Sequence, residues 1–238
     1  IDLPGIYSLT SYTMEEKVSR ECIMSDEVDV IVDVVDASCL ERNLYLTLQL
    51  IELGKPVVLA LNMMDIVEER GMEIDLHRLP EMLGIPAIPV SARKRTGLEI
   101  LLHAVAHHKE YAKQGPFIHH HSDKTGHKHN HHSEYAMVYD DEIEDKIDAI
   151  SEQFRVKYPD MENMRWHAIK TLEQDDSVTK KYPVDMTGIA DRSYEKDIIN
   201  EKYDFIEEVI DETLVNKSAK SEQTDRIDRF MTSRWLGL

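Results

Sequence analysis

Two short β-branched runs, each stopping at a polar residue, constrain the fold of this chain most. Residues 28–36 read Val-Asp-Val-Ile-Val-Asp-Val-Val-Asp, and residues 56–61 read Pro-Val-Val-Leu-Ala-Leu. Runs of this kind predict buried strands of a parallel sheet. Parallel neighbours need a crossover between them, and residues 43–53 offer one. Leu44, Leu46, Leu48 and Leu50 alternate as in a strand, yet Leu44, Leu48 and Ile51 share a helical face, as do Leu46, Leu50 and Leu53. Gly54 is a good residue just past a helix end, and with the crossover requirement it selects the helix. Residues 76–83 predict a short helix ended by Gly84. Residues 85–90 predict a third strand, whose Pro86 and Pro89 limit its ladder. Residues 97–111 predict the next helix. Strands alternating with helices define a parallel α/β sheet.

The pattern breaks at residues 112–134, which are polar and contain Gly115-Pro116 and seven histidines. This is a linker or a long loop. Beyond it the apolar spacing is helical. Ile143, Ile147, Ile150 and Phe154 step by four, three and four, and Trp166, Ile169 and Leu172 step by three. Ile199, Tyr203, Ile206, Ile210 and Leu214 are read as one face of a long helix. No strand-like run stands out after residue 135, so a separate all-helical domain is expected there.

Charge and cysteine usage exclude several classes. The chain carries 46 acids against 28 bases, a net charge of −18, with no basic stripe, so nucleic acid is not an expected partner. Cys22 and Cys39 have neither metal-ligand spacing nor disulfide-framework density, which suits a reducing cytosol. No run of 18 apolar residues occurs.

Three short motifs sit where the predicted strands end. Asp2, Leu3, Pro4 and Gly5 form Asp-Leu-Pro-Gly, read as a strand end followed by a phosphate-sensing turn. Asp2 suits Mg²⁺ held through a water, and Gly5 lets the backbone N–H approach a γ-phosphate. A plain strand-to-turn segment is the alternative. Asn62, Met63, Met64 and Asp65 follow the second strand. A carboxylate there can accept from both N1–H and the 2-amino group of guanine, a pair that adenine lacks. The alternative is a helix start with Asp65 as its cap. Met63 stands where lysine is usual in such motifs, so its thioether replaces the stem that covers the base. Ser91, Ala92 and Arg93 follow the third strand, 26 residues after Asp65, where a backbone N–H after the serine can read guanine O6. Ligand sites of open α/β sheets lie at such strand ends. The phosphate loop pattern Gly-x-x-x-x-Gly-Lys-Ser/Thr does not occur in these residues. It is expected roughly forty residues before Asp2. The 238-residue piece is accordingly expected to bind guanine nucleotides very weakly and to hydrolyse none.

The wording around the motifs is more specific still. Asp-Leu-Pro-Gly-Ile-Tyr-Ser-Leu at 2–9, Val-Val-Asp-Ala-Ser-Cys-Leu-Glu-Arg-Asn-Leu-Tyr-Leu-Thr-Leu-Gln-Leu at 34–50 and Leu-Asn-Met-Met-Asp at 61–65 closely resemble the bacterial ferrous iron transport protein B family. The resemblance implies a cytosolic P-loop-type GTPase G domain, an α/β fold with a mostly parallel sheet, incomplete here. It further implies an all-α helical domain that damps nucleotide release, then a multi-pass domain of the inner membrane that moves Fe²⁺. Residues 1–112 would be the partial G domain, 113–134 the His-rich loop, 135–222 the helical domain and 223–238 the junction to a first membrane segment. Implied cofactors are GTP or GDP and Mg²⁺. Implied partners are the protein's own membrane domain and small accessory proteins of iron uptake. Ile6 replaces the water-orienting glutamine of better-known GTPases, so slow hydrolysis is implied. A soluble regulatory or assembly GTPase with an appended helical domain is the competing reading. A metal-binding protein on a G-like scaffold is a third.

That third reading rests on His119, His120, His121, His127, His129, His131 and His132, seven imidazoles within fourteen residues. Neutral imidazoles bind transition metals without demanding one geometry, and a solvated linker is the plain alternative. His77, His103, His107, His108 and His167 are read as helix-surface residues.

Overall fold

The computed structural model describes residues 1–9, 13–108 and 137–215. Helix α1 (Met14–Met24) opens with a reciprocal cap, in which Thr13 Oγ1 accepts from Glu16 N and Glu16 Oε2 accepts from Thr13 N. Strand β1 (Ile31–Asp36), helix α2 (Leu40–Glu52) and strand β2 (Val57–Asn62) form the first crossover unit. Helix α3 (Met64–Glu69), the short strand β3 (Glu73–Ile74) and helix α4 (Arg78–Leu83) lead to strand β4 (Ala87–Pro89) and helix α5 (Leu98–Ala106). The sheet runs β1-β2-β4, all parallel, with Ile31 opposite Val57 and Leu61 opposite Pro89.

The expected helix at 43–53 is α2, and Gly54 follows it at φ +79°. Strand β2 is buried along its length apart from Asn62. Strand β1 is shorter than the 28–36 run and is not buried on both faces. Val32 and Val34 are 39% and 63% exposed, whereas Ile31, Asp33 and Val35 face the core. Residues 1–6 form no strand, so Asp2 does not end one.

The second half contains α6 (Asp141–Lys157), α7 (Met164–Leu172), α8 (Asp176–Lys181) and α9 (Glu195–Thr213). Ile143, Ile147, Ile150 and Phe154 are buried as their spacing predicts, and so are Trp166, Ile169 and Leu172. Two expectations need correction. The face that α9 buries is Ile198, Lys202, Phe205, Ile206, Val209, Ile210 and Thr213, while Tyr203 is 42% exposed. A stripe centred on Tyr203 treats Lys202 as a surface charge. His167, read as a surface residue, is buried between Trp166 and Tyr182 ring edges. Burial lowers its pKa and thus favours the neutral ring.

The helical half is not packed apart from the sheet. One apolar core runs from Val35, Leu44, Leu48 and Leu79 into Ile147, Phe154, Phe205 and Val209. Tyr45 of α2 stacks on Tyr203 of α9, with ring centroids 5.2 Å apart. The final strand β5 (Leu214–Val215), which the sequence did not suggest, pairs antiparallel with β3 through Ile74 and Leu214. A second core gathers Leu9, Ile23, Leu50, Leu53 and Val57 around Trp166 and Val178. Over it, the Arg20 guanidinium lies 4.8 Å from the Trp166 ring and 2.7 Å from Asp175, the residue that caps α8.

Candidate functional site

The ends of β2 and β4 lie side by side, and their following loops meet. Val90 N donates to Leu61 O at 2.8 Å, and Met64 N donates to Val90 O at 3.2 Å. Met63 takes a left-handed conformation, φ +63°, at the first position before α3. That turn places Asp65 in the first turn of the helix. No side chain caps α3, so the alternative role of Asp65 as a cap does not hold.

Instead the Asp65 carboxylate turns to the loop after β4. Ser91 Oγ donates to Oδ1 at 2.9 Å, and Arg93 Nη2 lies 2.7 Å from Oδ2. The Arg93 contact is one of charges, because among the described residues the buried Oδ2 has no aligned hydrogen-bond donor. Arg93 also reaches Glu69 at 2.8 Å. Burial alone would raise the Asp65 pKa, but the Ser91 hydroxyl and the Arg93 guanidinium hold it below the usual carboxylate value. The group therefore stays ionised, 4% exposed, with an acceptor oxygen to offer.

The same loop is fastened at two further points. Asn62 Oδ1 accepts from Ala92 N at 3.1 Å, and Ser91 Oγ accepts from Lys94 N at 3.1 Å. Ser91 and Thr96 exchange backbone hydrogen bonds of 3.1 Å, closing a turn. Gly97 ends it at φ +77°, and a Cβ there would fall 2.1 Å from Pro89 O. Thus Asn62, Asp65, Ser91, Ala92 and Arg93 form one constellation. Met63 stands beside it, 42% exposed, and Met64 packs against the main core.

Asp2, Leu3, Pro4 and Gly5 lie elsewhere. Among the described residues no hydrogen bond or ion pair joins them to that constellation. Leu3 and Ile6 pack on the second core, and Pro4 O accepts from Ser19 Oγ at 3.5 Å. Asp2 and Gly5 are exposed, and nothing lies within 4 Å of where a Gly5 side chain would start. An exposed carboxylate beside an open backbone fits one outer ligand of a Mg²⁺–phosphate group. Among the described residues no group of three or more His, Cys, Asp or Glu is gathered to hold a metal. The seven histidines of 119–132 and the junction at 223–238 lie outside the described residues. No described helix is long and apolar enough to cross a membrane.

Gln49 is a residue that sequence reasoning missed. It sits between Leu48 and Leu50 on α2, 1% exposed, and its Oε1 accepts from Ser8 Oγ and Leu9 N, just past Gly5. A lone amide inside an apolar helical run was the available signal.

A parallel sheet with its polar constellation after β2 and β4, continued into a helical half, defines the class as a GTPase-type G domain with a helical companion. The profile of "Ferrous iron transport protein B" matches residues 1–105, and that of "FeoB cytosolic helical domain" matches residues 139–215. The chain belongs to the ferrous iron transport protein B family. The Fe(2+) transporter FeoB of Salmonella typhimurium is 32% identical across all of this chain, which spans 30% of that protein. The Fe(2+) transporter FeoB of Legionella pneumophila (strain Paris) is 47% identical over 110 residues, 44% of this chain and 15% of its own length. Among solved structures, a GDP-bound point mutant of the S. thermophilus FeoB G-domain aligns with a TM-score of 0.75 at 34% identity. The alignment covers 90% of this chain and 80% of that one. The cytosolic domain of the T. maritima FeoB iron transporter in its GMPPNP form aligns at 0.71 and 28% identity, with coverage of 90% and 80%.

Proposed function

We propose that this chain is the guanine-nucleotide-binding, cytoplasm-facing part of an inner-membrane Fe²⁺ transporter, in which nucleotide state regulates iron passage. The observation that carries the proposal is the buried, ionised Asp65, whose Oδ2 has no aligned donor among the described residues. Guanine N1–H and its 2-amino group are donors of the right number and spacing for that carboxylate. Arg93, exposed and able to stay with Glu69, would yield Oδ2 to the base. Ala92 N–H, now held by Asn62, would turn to guanine O6, and the Met63 thioether would lie on the ring face. The relatives' nucleotide-bound forms and the two family matches favour this over a soluble assembly GTPase.

Asp2 would hold Mg²⁺ through a water, and Gly5 N–H would meet the γ-phosphate. The metal, when bound, neutralises phosphate charge. Ile6 packs into the second core and has no group with which to orient a water, so hydrolysis by this chain's own residues would be slow. The partners proposed are the protein's membrane domain and small accessory proteins of iron uptake.

The test is nucleotide selection in the full transporter, reconstituted in vesicles. Asp65→Asn exchanges an acceptor for a donor, which matches xanthine rather than guanine. Fe²⁺ uptake by that variant should lose its response to GTP by at least tenfold and gain one to XTP. Uptake that ignores both nucleotides in the wild-type protein would end the proposal.

A further inference from the structure

We propose that Gln49 is a positioning residue that latches the segment after Gly5 onto α2, and that α2 passes the state of this latch to the helical half through Glu52. The inference deepens the reading of residues 2–5 as a phosphate-sensing turn and rests on it for its biological meaning. Its geometry stands independently.

The latch is a single buried side chain. Gln49 Oε1 accepts from Leu9 N at 2.7 Å and from Ser8 Oγ at 3.1 Å. Leu9 is fully buried in the second core with Leu50, Leu53 and Trp166, so the chain three and four residues past Gly5 is pinned to one helix face. Gln49 Nε2 is buried as well and, among the described residues, has no acceptor. A buried amide donor without a partner is costly. A shift of the Ser8–Leu9 backbone that brings a carbonyl to Nε2 would recover that cost, so a half-satisfied amide favours two arrangements of the segment it holds.

Three residues further along α2 lies Glu52. Its Oε2 is 2.8 Å from Lys202 Nζ of α9, and its Oε1 accepts from the Tyr139 hydroxyl ahead of α6. Lys202 also lies 3.8 Å from Glu173 at the end of α7. One short stretch of helix thus holds the sensing segment on one side and two parts of the helical half on the other, with Glu173 reached through Lys202. Such buried ionic contacts have discrete arrangements rather than a continuum, which suits them to transmit a small shift.

The experiment is amide hydrogen exchange on this 238-residue protein. Gln49→Leu should speed exchange at Leu9 at least tenfold, and Gln49→Glu, which keeps the acceptor, should not. Glu52→Gln is the decisive variant. It touches neither Ser8 nor Leu9, yet should speed Leu9 exchange at least threefold relative to Leu59 in β2 and Ile150 in α6. Unchanged exchange at Leu9, or equal acceleration at all three amides, overturns the relay. Should Glu52→Gln fail to fold, Tyr139→Phe removes one partner of Glu52 and gives the same comparison. GDP release from the nucleotide-loaded full transporter then links latch to function, with Gln49→Leu releasing GDP at least threefold faster. Failure of the transporter to bind GDP would count against the proposed function and leave the exchange result intact.

Discussion

Lys202 of α9 and Glu52 of α2 face each other at 2.8 Å, with Lys202 fully buried. It is a contact of charges rather than an aligned hydrogen bond. Burial pushes the Glu52 pKa up, but Lys202 and the Tyr139 hydroxyl hold it below the usual 4.5. The carboxylate is therefore ionised, and its favourable contribution is present above pH 4.5 and lost as the pH falls below it.

Removing one partner of such a pair leaves a buried charge uncompensated. Lys202→Met should lower unfolding stability by about 3–5 kcal/mol, whereas the double variant Glu52→Leu/Lys202→Met should regain most of it. Urea denaturation of the four species checks this. Singles that cost less than about 1 kcal/mol would show that the pair is open to solvent.

Asp33 gives a pH dependence of opposite sign. It is 7% exposed, accepts from Thr47 Oγ1 at 2.7 Å, and burial raises its pKa to about 6 against that hydrogen bond. A raised folded pKa means that the folded state holds the proton more tightly. The resulting stability is present below the unfolded value of 3.8 and disappears as the pH rises through about 6. Asparagine can still accept from Thr47 and never ionises. Asp33→Asn should be more stable than wild type by roughly 3 kcal/mol at about pH 7.5, at about 1.36 kcal/mol per pKa unit, and the gain should vanish near about pH 4. Parallel melts at the two pH values decide it.

Gly97 holds the turn that presents Ser91 and Ala92. At φ +77° and with a Cβ placed 2.1 Å from Pro89 O, alanine meets both backbone strain and a clash with main chain that cannot swing aside. Gly97→Ala should cost about 2–5 kcal/mol. Its amide signals should shift at Ser91 and Asp65 more than at Ile150. A neutral substitution would mean that the turn relaxes freely.

Much of the α/β half was readable because its signals are local. Strands β1 and β2 follow from β-branched runs, α2 from its crossover role and Gly54, and the meeting of Asn62 and Asp65 with Ser91, Ala92 and Arg93 from motifs after β2 and β4. What escaped was set by partners distant in sequence. Lys202 looks like a solvated charge until Glu52, 150 residues earlier, is brought against it. His167 looks polar until Trp166 and Tyr182 enclose it. Strands β3 and β5 are two residues each, below any periodicity, and exist because α9 ends beside Ile74. Helix α1 is a different kind of omission, since Thr13 and Glu16 are a readable cap ahead of an amphipathic run.

The unbroken core from Val35 to Val209 has a consequence for how the molecule comes apart. Leu44 and Leu48 are covered by side chains from beyond residue 137, so neither half can expose its face to water cheaply. Heat should melt both halves in a single calorimetric step, with van't Hoff and calorimetric enthalpies equal. A protein cut in two within 109–136 should behave as one. Pieces 1–108 and 137–238, each expected to be poorly folded alone, should reassemble on mixing and melt together.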